Sequence, residues 1–291
     1  MKKRKNNLAQ FSFPTIDFFW IILFTAFSFS FCQRTDLENA SDLYSREFTE
    51  TQILNCMLKG PFCSRSGDAN SVPIQPLLQY DFTNGSVVNA GSLTIALSTP
   101  EATPSLTLGK DGDTNGAINY TANNQYYSSG DVGLPMGTNP RTFCAWIKPT
   151  SLPANGSHRV VFRYGSITTG NFAVLAISTA TGNKISFLGY GYDALADYTI
   201  LVNTWSHLCA SYSGGNAADF YVNGNFIASP SFVGSGPLNT ISGSLAIGTW
   251  TGGGGPADYW QGAMDDIRIY GMALSAKQIG QIYQMGVAYV E

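Results

Sequence analysis

Arg141-Thr-Phe-Cys-Ala-Trp-Ile-Lys-Pro149 and Thr204-Trp-Ser-His-Leu-Cys-Ala-Ser-Tyr212 each place one cysteine inside an alternating run beside a tryptophan. Side chains that alternate with period two, in stretches rich in aromatic and branched residues, mark strands that bury one face. Similar runs recur outward from these two, separated by Gly, Pro, Asn and Asp: Leu78–Phe82, Ile118–Tyr120, Val160–Tyr164, Phe172–Ile177, Lys184–Leu188, Asp219–Val222, Phe226–Ala228, Ser244–Gly248 and Ala263–Tyr270. Asn223-Gly224 supplies the two positive φ angles of a type I′ turn and predicts a tight hairpin. Helical periodicity is confined to the end of the chain, where Ser275 stands as an N-cap and Ile279, Ile282 and Tyr283 share one face. These patterns predict an all-β, antiparallel two-sheet sandwich over residues 73–291, with one short C-terminal helix.

The amino terminus reads differently. Met1-Lys-Lys-Arg-Lys5 is basic, and Phe18 to Phe31 is almost wholly apolar, too short for the roughly 20 residues that span a bilayer. Residues 1–31 therefore read as an export signal. The run ends at Phe29-Ser-Phe-Cys32, which places Cys32 as a lipidation site after cleavage, although both phenylalanines depart from the usual lipobox. Ordinary cleavage after Ser28-Phe-Ser30 is the alternative, and with it secretion in place of a cell-envelope anchor. Residues 32–72 are polar and mixed, with an amphipathic piece from Leu37 to Leu58, and read as a partly helical tether.

Five cysteines, Cys32, Cys56, Cys63, Cys144 and Cys209, are an odd number for an exported chain. Lipid on Cys32 leaves four, which allow three connectivities. The simplest joins Cys144 to Cys209 and Cys56 to Cys63, with buried thiols as the alternative. Lys2, Lys3, Arg4, Lys5 and Asp17 leave with the signal, so 16 basic and 19 acidic residues become 12 and 18, a net charge near −6. Basic residues do not cluster after the signal, which excludes a phosphate-tracking nucleic-acid surface.

From about Gln79 to Tyr283 the motifs resemble, in order, the laminin G-like jelly roll of the concanavalin A-like lectin/glucanase superfamily. They are the Lys110-Asp-Gly-Asp-Thr-Asn-Gly-Ala117 hairpin, the Phe143–Lys148 strand, the Trp205 strand and the Asn223-Gly224 hairpin. The closing run is Gly262-Ala-Met-Asp-Asp-Ile-Arg-Ile-Tyr270 with the helix after it. The resemblance implies the jelly-roll fold, and its pentraxin branch, which carries cysteines at equivalent places, implies a Cys144–Cys209 disulfide. Pentraxin-type calcium binding does not carry over, because Thr249–Ala257 contains no carboxylate.

The superfamily's glucanases use glutamates spaced Glu-x-Asp-x-Glu on one strand, as retaining glycoside hydrolysis requires. Between Val72 and Val290 the only glutamate is Glu101. Asp265 and Asp266 are adjacent, so a regular strand would point them to opposite faces, one structural and one solvated. His158 and His207 lie in unrelated segments, and no Gly-x-Ser-x-Gly elbow occurs. His207 reads as packed or surface strand, and a hydrolase using Asp265, Asp266 or His207 is the weakest function class. Asp111, Asp113 and Asn115 have the spacing of the first half of a calcium loop, but Ala122 stands where an EF-hand needs glutamate. Turn chemistry explains the same residues, so no cofactor is required and calcium is the only one the spacing suggests.

Trp146, Trp205 and Trp260 read as core. Tyr190, Tyr192, Trp250 and Tyr259, with Tyr126-Tyr127, stand in Gly-rich loops, as a sugar-stacking or protein-binding face requires. The sequence thus predicts a non-catalytic binding module for glycan or extracellular or host protein, held to the outer membrane or cell surface through lipid. A structural envelope lipoprotein is the second reading.

Overall fold

The computed structural model describes residues 72–98, 102–154, 156–179, 184–234, 237–250 and 258–290. Cys32, Cys56, Cys63, the signal and nearly all of the tether lie outside the described residues. The strands are β1 Leu78–Tyr80, β2 Ser105–Thr107, β3 Ala117–Tyr120, β4 Tyr127–Gly130, β5 Arg141–Pro149, β6 His158–Gly165 and β7 Phe172–Ser178. They continue as β8 Lys184–Leu188, β9 Asp193–Asp197, β10 Ser206–Tyr212, β11 Ala218–Val222, β12 Asn225–Ala228, β13 Ser244–Ile247 and β14 Gly262–Tyr270, followed by helix α1, Ala276–Met285. One antiparallel sheet runs β12-β11-β10-β5-β14-β3-β2, with β1 also paired to β14, and the other runs β4-β13-β6-β7-β8-β9.

Alternation assigns each side chain of the two cysteine strands. Phe143, Ala145 and Ile147 of β5, with Leu208, Ala210 and Tyr212 of β10, enter the core between the sheets. Phe143 meets Phe162, Tyr164 and Phe187 edge-on at 5.5, 5.8 and 5.2 Å. Each such side chain, fully buried, contributes about 1.5–3 kcal/mol. The alternate residues Cys144, Trp146, His207 and Cys209 therefore share the outer face, where the cysteines pack with Tyr270, Leu274, Ile279 and Ile282 beneath α1. Cys144 lies directly opposite Cys209 in the register, and the two form the disulfide, closing a separation of 65 residues.

The helix carries the expected N-cap. Ser275 Oγ accepts from Gln278 N at 3.3 Å, and Gln278 Oε1 accepts from Ser275 N at 2.9 Å. Gly286 ends it with φ 71°. The Asn-Gly hairpin also forms, with φ 50° and 76° at Asn223 and Gly224. Its tip is pinned from β10, since His207 N donates to Asn223 Oδ1 at 2.9 Å.

Three strands were not legible: β2, β4 and β9. Each ends the strand order of its sheet, where short polar sequences such as Ser-Leu-Thr are tolerated. Tyr127, expected in an exposed loop, is buried in β4. Trp260 is core as expected, but Trp146 and Trp205 are only half-buried. Trp146 alternates with the inward residues of β5 and so cannot enter the core.

Candidate functional site

The chemistry of the outer face begins with an irregularity in β14. Asp265 pairs with Trp146 of β5 and Arg268 with Cys144, so two residues of β14 oppose one of β5. Asp266, at φ 45°, takes up the extra residue in the left-handed region that aspartate tolerates better than most. On the other edge of β14 the neighbour changes at the same place, from β3 up to Met264 to β1 from Ile267. The bulge therefore sits in a gap of the sheet, and the loop before β3 reaches into it: Lys110 N donates to Asp265 Oδ2 at 3.0 Å.

This overturns the alternation expected for the two aspartates. Both are buried, neither is solvated, and both line one pocket with Gln79, Asp81, Thr83, Lys110, Asp111, Asp113 and Arg268. Asp266 is held by Arg268 through both oxygens, Nε to Oδ1 at 2.6 Å and Nη2 to Oδ2 at 2.7 Å. Arg268 Nη1 also donates to the Gly286 carbonyl, tying the end of α1 to the bulge. With its oxygens taken up by Arg268, Asp266 is a poor nucleophile, which argues against a carboxylate pair acting on a glycosidic bond.

A second hollow continues from the first. It shares Lys110, Asp111 and Asp266 and is walled by Trp146, Tyr283 and the last residues of α1. The Trp146 and Tyr283 rings stack at 5.5 Å and 25°, with Lys110 Nζ 5.6 Å from the Trp146 centroid and paired to Asp111. The two hollows measure about 340 and 470 Å³, within the range of small-ligand sites. Together they make a groove with a polar, largely acidic floor and an aromatic side.

Burial pushes the Asp265 carboxyl up to about 7; the Asp266 charge adds to this and the Lys110 N–H opposes it. Burial takes the His207 imidazole down to about 3, helped by the nearby charges of Arg268 and Lys110. Because the folded value of Asp265 lies above its ordinary one, its ionised form costs stability above pH 7. That cost fades as pH falls from 7 towards 4, where the folded chain takes up the proton. Asp265→Asn keeps the acceptor for Lys110 N and cannot ionise. It is expected to stabilise the domain at pH 8 by on the order of 1–2 kcal/mol and to be neutral near pH 4. An effect of the same size at both pH values, read from urea midpoints, would refute the buried-acid account.

The other expected site residues fall in two places. Asp111 and Asp113 open on the groove, whereas the Asn115 carbonyl accepts from Asn84 N at 2.8 Å and the residue does not line it. Among the described residues, the groove's carboxylates do not converge into a three-ligand metal set. Tyr190 and Trp250 meet at the far sheet, ring centroids 6.3 Å apart, while Tyr192 and Tyr259 are half-buried. Trp250 stacks on His158 at 5.2 Å and packs edge-on against Phe172, covering an apolar cluster on the outer face of β6–β8. Its ring is thus largely occupied, and Tyr190, 41% exposed, is the freest of the four. Sequence reasoning missed Lys110, Trp146, Arg268 and Tyr283 as groove residues. The available signals were separate ones: a tryptophan on the outer side of a predicted strand and a tyrosine on the apolar face of the closing helix.

Residues 121–280 match a family model, Laminin_G_3, described as Concanavalin A-like lectin/glucanases superfamily. Among solved structures, the chain is similar to domain 4 of AbnA, a GH43 extracellular arabinanase from Geobacillus stearothermophilus, in complex with arabinotriose. That match has 20% identity and a TM-score of 0.52, over 73% of this chain and 100% of that one. It is similar also to the binding domain of Paraclostridial Mosquitocidal Protein 1, at 12% identity and TM-score 0.56 over 72% and 52% of the two chains. A third is the ligand binding domain of botulinum neurotoxin serotype D in complex with N-acetylneuraminic acid, at 12% identity and TM-score 0.54 over 72% and 50%. The chain spans about half the length of the two toxin domains. At these identities the likeness shows the fold. No curated protein matches.

Proposed function

Because the chain belongs to the laminin G-like family of the concanavalin A-like lectin/glucanase superfamily, we propose that it is a non-catalytic binding module that takes a glycan in the groove beneath α1. We propose further that it is exported and held in the cell envelope by lipid on Cys32. The groove carries the binding proposal. Sugar rings present an apolar face and a rim of hydroxyls, and here the stacked Trp146 and Tyr283 stand beside Lys110, Asp111 and Asp113. The arabinotriose and N-acetylneuraminic acid complexes of similar folds support a saccharide as the ligand class.

A glycan array followed by calorimetry on a hit tests it. Saturable binding is expected, weakened about tenfold or more, some 1.4 kcal/mol, by Trp146→Ala or Tyr283→Ala and unchanged by Tyr190→Ala. Circular dichroism verifies that each variant is folded. Loss with Tyr190→Ala alone would move the ligand to the other face, and no saturable glycan would sink the reading. Mass spectrometry of the mature amino terminus tests the anchor, with diacylglyceryl-modified Cys32 as the expected first residue.

A further inference from the structure

His207 is 1% exposed, yet among the described residues its ring nitrogens have one polar neighbour, Cys209 Sγ, 3.8 Å from Nδ1 and 3.7 Å from Nε2. A disulfide sulfur is a weak acceptor shared ambiguously by both nitrogens, and a buried imidazole so poorly matched calls for an explanation. The register supplies one. His207 and Cys209 are two apart on β10 and so share a face, and Cys144 of β5 lies opposite Cys209. The three donor atoms lie within 4.8 Å of one another, all buried, and no other such set occurs among the described residues.

We propose that Cys144, Cys209 and His207 are the ligands of a single soft divalent cation of the zinc type, which occupies the site whenever the disulfide is open. The bond is absent before oxidation of the new chain, and a dithiol reductant reopens it. The dithiol gives two electrons and two protons, the S–S bond breaks, two thiols form, and the reductant becomes a disulfide. The cation then displaces both thiol protons to solvent and accepts a lone pair from one imidazole nitrogen, leaving a fourth position for water.

The geometry fits this exchange. Zinc–sulfur and zinc–nitrogen bonds of about 2.3 and 2.0–2.1 Å put tetrahedral sulfur and nitrogen about 3.5 Å apart, close to the 3.7 and 3.8 Å between Cys209 Sγ and the His207 ring nitrogens. The near-equal distances leave the sulfur off both lone-pair directions, so the imidazole must turn about its Cβ–Cγ bond to ligate. Two thiolates match the charge of a dication. Arg268, opposite Cys144 on β14, is already neutralised by Asp266, and the apolar Ile279 and Ile282 of α1 pack on the cysteines. Disulfide and metal are alternative occupants of one ligand set, so the oxidised chain binds none.

Cobalt(II) is the probe. The full chain carrying Cys32→Ser, Cys56→Ser and Cys63→Ser is reduced with a phosphine, freed of it without oxygen, and titrated. One equivalent is expected, with sulfur-to-cobalt charge-transfer absorption and the visible bands of a tetrahedral centre. Zinc is expected to displace the cobalt, to block alkylation of Cys144 and Cys209, and to raise the melting temperature of the reduced chain. The oxidised chain should show none of these signals, and His207→Ala should weaken binding about tenfold or more. The proposal is overturned if the reduced chain shows no cobalt–thiolate absorption, if His207→Ala leaves spectrum and affinity unchanged, or if zinc leaves the reduced chain's melting temperature where it was. The last reading decides the matter even if reduction loosens the fold.

Discussion

Arg268→Met is expected to lower the melting temperature of the domain by about 6–20 °C. The guanidinium holds both oxygens of Asp266 and the carbonyl of Gly286, and both members of the ion pair are buried. Removing one partner leaves Asp266 as an uncompensated buried charge, worth about 3–5 kcal/mol, and each kcal/mol moves the midpoint of a domain this size by about 2–4 °C. It also frees the end of α1, so the Trp146–Tyr283 stack should loosen. Adding Asp266→Asn removes the orphaned charge while keeping a residue that accepts positive φ. The double variant should therefore recover much of the loss, a non-additivity expected of residues in contact. A fall of less than 2 °C in a thermal melt of the single variant would show that the pair carries no such weight.

Opening the Cys144–Cys209 bond by the paired substitution Cys144→Ala and Cys209→Ala should cost about 4 kcal/mol, the loop-closure entropy released to the unfolded chain by a separation of 65 residues. The bond joins the two central strands that carry Phe143 and Leu208 into the core. Its loss should lower the urea midpoint and steepen the slope, since the unfolded chain freed of the cross-link is less compact and exposes more surface. Midpoints of the two chains that coincide would refute a stabilising role. The same experiment bears on the metal site: reduced wild type with zinc should regain stability, and the alanine chain should not.

The strands of the core were legible because burial imposes period two on every residue that must face inward. Phe143, Ala145 and Ile147 announce β5 whatever lies beside it. The Asn223-Gly224 turn and the Ser275 cap were equally plain, since each satisfies a backbone requirement within four residues. An edge strand such as Tyr127–Gly130 escaped notice because only Tyr127 of its four residues is buried, so no alternation is imposed on the rest.

The candidate site was legible only in fragments. Asp111, Asp113, Asp265 and Asp266 were all visible as chemistry-bearing residues, but a regular strand put the last two on opposite faces. The bulge that gathers them exists because β14 exchanges β3 for β1 as its neighbour beside them, which no local pattern records. Lys110 and Asp265, 155 residues apart in the chain, meet where the Lys110 backbone N–H donates to the Asp265 carboxylate. Likewise the two cysteine strands showed in isolation that they belong to a sandwich, and the family resemblance implied that their cysteines pair. That His207 is buried against that pair, with Trp146 and Tyr283 stacked beside it, followed from the helix folding back over the outer face. Local periodicity determines what each strand buries. Packing between distant segments decides which of the remaining side chains share a site, because that contact energy is realised only when the sheets are assembled.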